Sequence, residues 1–146
     1  MNKYMKLAYQ DAKKAYAKGE VPVEAVIVLN DKVIARAHNL REAKQSFEGH
    51  AEFLAMQKAA KKLNSWRLED CIVYVTLEPC SMCAGAMLQA RVKEVICGTT
   101  DPKAGAVESK LNLFDISFNH KVKYSCSYDL ETTEILKDFF KNLRDK

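Results

Sequence analysis

A chain of 146 residues, 48% hydrophobic and 29% charged with five glycines and three prolines, suits one folded domain with a substantial core and excludes a disordered chain. No apolar run approaches the roughly 20 residues that span a bilayer, and the N-terminal MNKYMKLAYQDAKKAYAKGE carries Asp11 and no continuous apolar core, so neither anchor nor signal peptide is expected and the cytoplasm is the expected compartment. The net charge of +4 favours a polyanionic partner only weakly, and five cysteines, an odd number in a compartment expected to be reducing, argue against a disulfide scaffold.

The chain opens on an amphipathic helix: Tyr4, Leu7, Ala8, Ala12 and Ala15 recur at helical intervals, Asp11 is the polar exception, and Gly19 ends it. VPVEAVIVLNDKVIARAHN predicts two strands around a tight Asn30-Asp31 turn. A polar loop, LREAKQSFEG, leads to the helix HAEFLAMQKAAKKLN, where Ala51, Leu54, Ala55, Ala59 and Leu63 form an apolar stripe. CIVYVTL, residues 71–77, is a short β-branched run and predicts a strand buried on both faces. EPCSMCAGAMLQAR predicts a helix, VKEVICG a strand, TTDPKAGAVESKLNLF a turn-rich loop and HKVKYSC a short last strand. LETTEILKDFFKNLRDK closes the chain as a helix with Leu136, Phe139, Phe140 and Leu143 on one face. A hairpin followed by strand-helix-strand crossovers predicts an α/β fold, a mixed sheet with helices on both faces, with residues 1–146 as one domain.

The chemistry concentrates in two short stretches. In TLEPCSMCAG, Pro79 suits the first helical position, and Cys80 and Cys83 share a helix face near its N-terminus, where the partial positive charge favours thiolates. A Cys-x-x-Cys alone fits a redox pair, half of a structural zinc site, or packing. His50 offers a third ligand, and the 29 residues between it and Cys80 form a helix-loop-strand excursion that can return two helix starts to one sheet edge. Three protein ligands leave a fourth position for water, the pattern of catalytic rather than structural zinc. Glu52, two residues after His50, is then a carboxylate placed to carry protons at that water. Cys71 and Cys97 read as buried small hydrophobes, His38 and His120 as structural residues, and Cys126 carries no signal.

His-Ala-Glu at 50–52 followed by Pro-Cys-Ser-Met-Cys-Ala-Gly at 79–85 matches the zinc-dependent nucleobase deaminase signature. GEVPVEAVIV, IARAHNLRE, WRLEDCIVYVTLEPCSMCAGAM, TTDPKAGA, FNHKV and DFFKNLR extend the likeness along nearly the whole chain, which resembles the bacterial tRNA adenosine deaminases of the cytidine deaminase superfamily. The resemblance implies a three-layer α/β/α, cytidine deaminase-like fold with a central mixed five-stranded sheet. It implies one zinc ion per subunit on His50, Cys80 and Cys83, Glu52 as proton carrier, and a homodimer. The implied reaction converts adenosine to inosine at the first anticodon position of an arginine tRNA. Asn39 would bond the inserted base, with the Ala51 backbone and the Glu78-Pro79-Cys80 turn lining the same pocket. Asp101 and Lys103 would face the RNA, and Phe139, Lys141 and Arg144 would lie against the anticodon stem-loop. Without the resemblance, Asn39 reads as a turn former and the 101–103 segment as a solvated turn.

Three segments depart from the family pattern. Glu24 stands where the family has glycine, and a carboxylate there is expected to bear on the pocket or on the RNA phosphates. SFEGHAE replaces Asp-Pro-Thr-Ala before the His-Ala-Glu, and AVESK replaces a Gly-Ser-Leu pattern after DPKAGA. The alternative readings are a deaminase of free nucleobases or nucleosides such as guanine or cytosine, which the basic C-terminal helix speaks against, and a non-catalytic RNA-binding protein with a structural zinc, which the intact Glu52 speaks against.

Overall fold

Helix α1, Lys3–Ala17, starts at Asn2, whose side-chain oxygen accepts from the Tyr4 amide at 2.7 Å, and buries Met5, Ala8, Ala12 and Ala15. The structure, a computed structural model, describes residues 1–40 and 45–144, with Arg144 described through its backbone alone; part of the loop expected at 40–49 lies outside these residues, as does the end of the last helix. Strands β1, Glu24–Leu29, and β2, Lys32–His38, form the expected hairpin. Its two turn residues, Asn30 and Asp31, both have positive φ (51° and 61°), the backbone that a two-residue hairpin of matching twist requires and that Asn and Asp tolerate.

Helix α2, Ala51–Leu63, ends where Asn64 enters the left-handed region. Strand β3, Ile72–Val75, helix α3, Ser81–Gln89, and strand β4, Glu94–Cys97, make a parallel crossover unit. A single 3-10 turn, Leu113–Asp115, interrupts the following loop; strand β5, Lys123–Cys126, and helix α4, Leu130–Arg144, complete the order. The sheet runs β2-β1-β3-β4-β5, with β1 antiparallel to both its neighbours and β3, β4 and β5 parallel. This is the expected mixed five-stranded sheet.

Strand alternation divides the sheet between two helix layers. Ala25, Ile27, Val73, Val75 and Val95 pack with Ala55, Ala59 and Met87 of α2 and α3. Val26, Val28 and Tyr74 pack with Met5 and Ala8 of α1. Each fully buried aliphatic or aromatic side chain contributes about 1.5–3 kcal/mol. Helix α4 is joined to α1 through Tyr16, whose hydroxyl donates to Asp138 at 2.5 Å and accepts from Asn142 at 2.7 Å, with the Phe139 ring edge-on at 5.6 Å.

Three expectations are corrected. Helix α3 begins at Ser81 with Cys80 as its N-cap, so Pro79 precedes the helix instead of occupying its first position. The inward face of α4 is Thr132, Ile135, Leu136 and Phe139; Phe140 and Leu143 turn to solvent at 43% and 57% exposure, because the helix meets the sheet through Thr132 and not along its length. Glu24 lies on the α1 side of the sheet, facing Asp11, since it shares strand parity with Val26 and Val28. Cys97 is buried as expected, and the parallel register sets it opposite Cys126 with Cα atoms 4.4 Å apart.

Candidate active site

Two helix N-termini and one strand end meet at a single point. His50 is the N-cap of α2, Cys80 is the N-cap of α3, and Cys83 lies on the first turn of α3. The short β3 positions both starts, because α2 and α3 pack on the same side of the sheet and β3 ends directly before the Glu78-Pro79-Cys80 turn. His50 Nδ1 is 3.6 Å from Cys80 Sγ and 3.6 Å from Cys83 Sγ. A tetrahedral zinc, with Zn–N of about 2.0–2.1 Å and Zn–S of about 2.3 Å, requires N and S to stand about 3.6 Å apart. Among the described residues, this is the one His/Cys/Asp/Glu group whose ligand atoms, all within 4.8 Å of one another, could hold a metal ion. The donor set, borderline nitrogen and soft sulfur, also suits zinc.

The local electrostatics match that geometry. Cys80 is driven down to about 3 by the hydrogen bond from the Cys83 thiol and by His50, against the opposing effect of burial. The same bond, with burial, pushes the Cys83 thiol up. Glu52 is 4% exposed. Burial pushes its carboxyl up to about 7, its own amide and His50 pull the other way, Cys80 adds to the rise, and a bond with Cys83 opposes it. Besides burial and its own amide, the groups that act on it are the three residues of the cluster. One turn of α2 aims both His50 and Glu52 at the thiols, although residues two apart do not share a helix face.

The surrounding residues divide. The Asn39 side-chain oxygen accepts from the Ala51 amide at 2.8 Å, so Asn39 and Ala51 meet each other beside His50, and that amide is already occupied. The Glu78 carboxylate does not line the pocket: it turns to the loop after β4 and accepts from the amides of Asp101, Val107, Glu108 and Ser109 at 2.9–3.1 Å and from the Ser109 hydroxyl at 2.5 Å. Asp101 closes its own turn, accepting from the Lys103 and Ala104 amides, while the Lys103 side chain is exposed. On α4, Phe139 is half-buried against Tyr16 and Lys141 is exposed. His38 stands 3.9 Å from Glu24, and the His120 ring meets the Val92 carbonyl at 2.8 Å, so both are away from the ligand set.

Sequence reasoning missed the anchoring role of Glu78, which joins positions 23 to 31 residues apart. Gly105 was the available signal. A Cβ there would fall inside the Glu78 carboxylate, so the glycine in DPKAGA keeps room for the anchor.

Comparisons with known proteins agree with this geometry. A family profile described as MafB19-like deaminase matches residues 1–144. The tRNA-specific adenosine deaminase of Bacillus subtilis (strain 168) is 49% identical over 145 residues, covering 98% of this chain and 90% of that protein. The chain belongs to the tRNA-specific adenosine deaminase family. A solved tRNA:A34 deaminase, described for A-to-I editing at the wobble position of transfer RNA, superimposes with a TM-score of 0.87 at 38% identity, covering 91% of this chain and 98% of that one. The guanine deaminase from Nitrosomonas europaea shares the fold alone, with a TM-score of 0.78 at 18% identity over 93% of this chain and 82% of that one.

Proposed function

We propose that the protein deaminates adenosine to inosine at the wobble position of a tRNA anticodon, with an arginine tRNA as substrate. The supporting observation is the 3.6 Å spacing from His50 to both thiols beside buried Glu52, in a chain whose relatives carry that activity in their names. His50, Cys80 and Cys83 would hold a zinc ion. Bound there, zinc is a Lewis acid that lowers the pKa of water to about 7.

The protein's own groups do the rest. An anticodon loop presents unstacked bases, so the adenine enters the site at less cost than from a duplex. Asn39, the Ala51 backbone and the Pro79-Cys80 turn form its walls, and Glu78 fixes that turn from behind. Glu52 takes a proton from the attacking water and delivers it to the ring nitrogen beside the amino-bearing carbon. With the oxygen now bonded to that carbon, Glu52 takes the remaining hydroxyl proton and gives it to the departing amine. The carbon–nitrogen bond breaks, ammonia leaves, and the carbonyl of inosine remains. Asp101, Lys103, Phe139, Lys141 and Arg144 carry the RNA outside the pocket. The protein works as a single-domain subunit of a homodimer in the cytoplasm. Among the described residues no helix is long and apolar enough to cross a membrane.

The test is to incubate the zinc-loaded protein with an arginine-tRNA anticodon stem-loop, and in parallel with free guanine, cytosine and their nucleosides. Inosine in the stem-loop is the expected product. Ammonia from the free bases alone would make this a small-molecule deaminase. Ammonia from none, with stem-loop binding retained, would make it an RNA-binding protein. Cys83→Ala is expected to lose metal, and parent-like zinc content in that variant would break the ligand assignment.

A further inference from the structure

Phe47 is the most exposed large hydrophobic side chain among the described residues, at 76%. A ring left in water forgoes the gain of burial, and a lone exposed ring on a remote surface carries no meaning by itself. Phe47 is not remote. It stands three residues before the ligand His50, so the chain between them spans at most about 11 Å. Trp66, also exposed, lies past the other end of α2, whose 13 residues rise about 20 Å.

The backbone holds Phe47 at the apex of a closed turn. The Ser46 carbonyl accepts from the Gly49 amide at 3.1 Å, and the Ser46 hydroxyl oxygen accepts from the Glu48 amide at 3.2 Å. The Glu48 carbonyl accepts from the His50 amide at 2.8 Å, which joins the turn to the N-cap of α2. The Gly49 carbonyl accepts from the Leu40 amide at 2.8 Å, beside Asn39, whose side chain holds the Ala51 amide. The ring is thus carried on a turn tied to both the ligand His50 and the pocket wall. A turn already closed in this way adds little ordering cost on binding. Glu48, the next residue, is exposed, and its carboxylate repels phosphate, so an uncharged base face suits the ring better than the RNA backbone does.

We propose that Phe47 is a stacking platform for the unpaired nucleobase next to the target adenosine. The inference rests on the reading that an anticodon loop enters this site, and it adds a contact outside the pocket that the zinc cluster and Asn39 do not supply. Unpaired bases of an RNA loop are splayed out and stacked on aromatic side chains, and any base offers a π face for it. Stacking the neighbour on Phe47 separates it from the adenine, which then enters the pocket alone. Phe47 lies in SFEGHAE, one of the stretches that depart from the family pattern, so the platform belongs to this chain.

The experiment uses zinc-loaded parent, Phe47→Ala, Phe47→Leu and Phe47→Tyr with the arginine-tRNA anticodon stem-loop, intact or abasic immediately 5′ or 3′ of the target adenosine. Kd is measured with Glu52→Gln added to each, so that bound RNA is not consumed. Zinc content and melting temperature should agree across the series, since the ring is exposed. Phe47→Ala is expected to raise Kd and KM for the intact stem-loop roughly fivefold or more, the low end of one base–aromatic stack, with kcat unchanged. Phe47→Tyr should restore parent binding and Phe47→Leu should not. On one of the two abasic stem-loops parent and Phe47→Ala should bind alike, which names the stacked nucleotide. The platform is overturned if Phe47→Ala binds the intact stem-loop as the parent does, if Phe47→Leu binds as well as Phe47→Tyr, or if the alanine penalty persists in full on both abasic stem-loops. Inosine formed with Kd unchanged in Phe47→Ala sinks the platform and leaves the proposed function standing. Binding weakened in Phe47→Ala with no inosine from the parent does the reverse, and no binding by any form sinks both.

Discussion

Around Glu78, four amides and a hydroxyl converge on one carboxylate; around Glu24, on the α1 side of the sheet, a carboxylate equally buried at 2% exposure leaves its Oε2 without a hydrogen-bond partner. Burial pushes both upward. At Glu78 the bonds from Ser109, Glu108 and Asp101 outweigh it, and the group is held below the usual carboxylate range. At Glu24 the neighbouring Asp11 adds to burial, Arg36 and Lys58 oppose it weakly, and the group rises to about 8. Burial therefore does not decide the charge of a glutamate in this fold; the supply of donors does. Glu52 is the third case, raised by burial but facing a histidine and two thiols.

If burial alone made a glutamate functional, Glu24 and Glu52 would be equivalent. They should separate completely on substitution. Glu52→Gln is expected to keep zinc and fold and to cut kcat by roughly 10²–10⁴-fold, the ordinary worth of a positioned proton carrier. Glu24→Gln should leave kcat at the parent value. Ammonia release measured beside zinc content checks both, and near-parent turnover in Glu52→Gln would place the proton carrier elsewhere.

Glu78→Ala tests the other half of the contrast. It leaves four amides of a part-buried loop without their acceptor, and the expected loss is about 3 kcal/mol in urea unfolding near neutral pH. Because the folded pKa is depressed, the carboxylate's stabilisation is complete above the ordinary carboxylate range and is lost as pH falls through the lowered value. The gap between parent and variant should therefore narrow below about pH 4. A gap independent of pH would mean that the loop is held by packing around Gly105 and not by charge.

Much of this was legible along the chain. The Asn30-Asp31 turn, the succession of helices and strands along the chain and the His50, Glu52, Cys80, Cys83 set follow from local rules: turn chemistry, apolar period and ligand spacing. Glu24 could be misjudged because its direction depends on parity within β1, where neighbours on both faces are buried and no polar alternation marks the side. The Glu78 anchor and the Cys97–Cys126 pair depend on contacts 23 to 31 residues apart. The exposed face of α4 depends on where Thr132 meets Gly98, which periodicity within the helix does not encode.

For Glu24 the sign is opposite to that for Glu78. The folded state holds a proton that the unfolded chain releases at an ordinary carboxylate pKa, so the parent loses stability as pH rises from the ordinary range toward about 8. Glu24→Gln, which keeps the shape of the protonated acid, should remove that slope and stabilise the protein by on the order of 1–2 kcal/mol near pH 8. Melting temperature against pH for the two proteins measures it. Parallel curves would show that Arg36, 3.6 Å from Asp11, already neutralises the pair.

The smallest effect belongs to the solvent side. Lys141 is exposed on α4, so one phosphate contact is all it can supply. Lys141→Ser should raise KM for the stem-loop about twofold to threefold without altering kcat, since a contact made equally before and during the reaction changes binding alone. One released counterion fewer should also reduce the slope of log(kcat/KM) against log salt by roughly 0.7–1. An unchanged slope would remove α4 from the RNA interface, leaving Lys103 and the 101–109 loop that Glu78 anchors as the surface to test next.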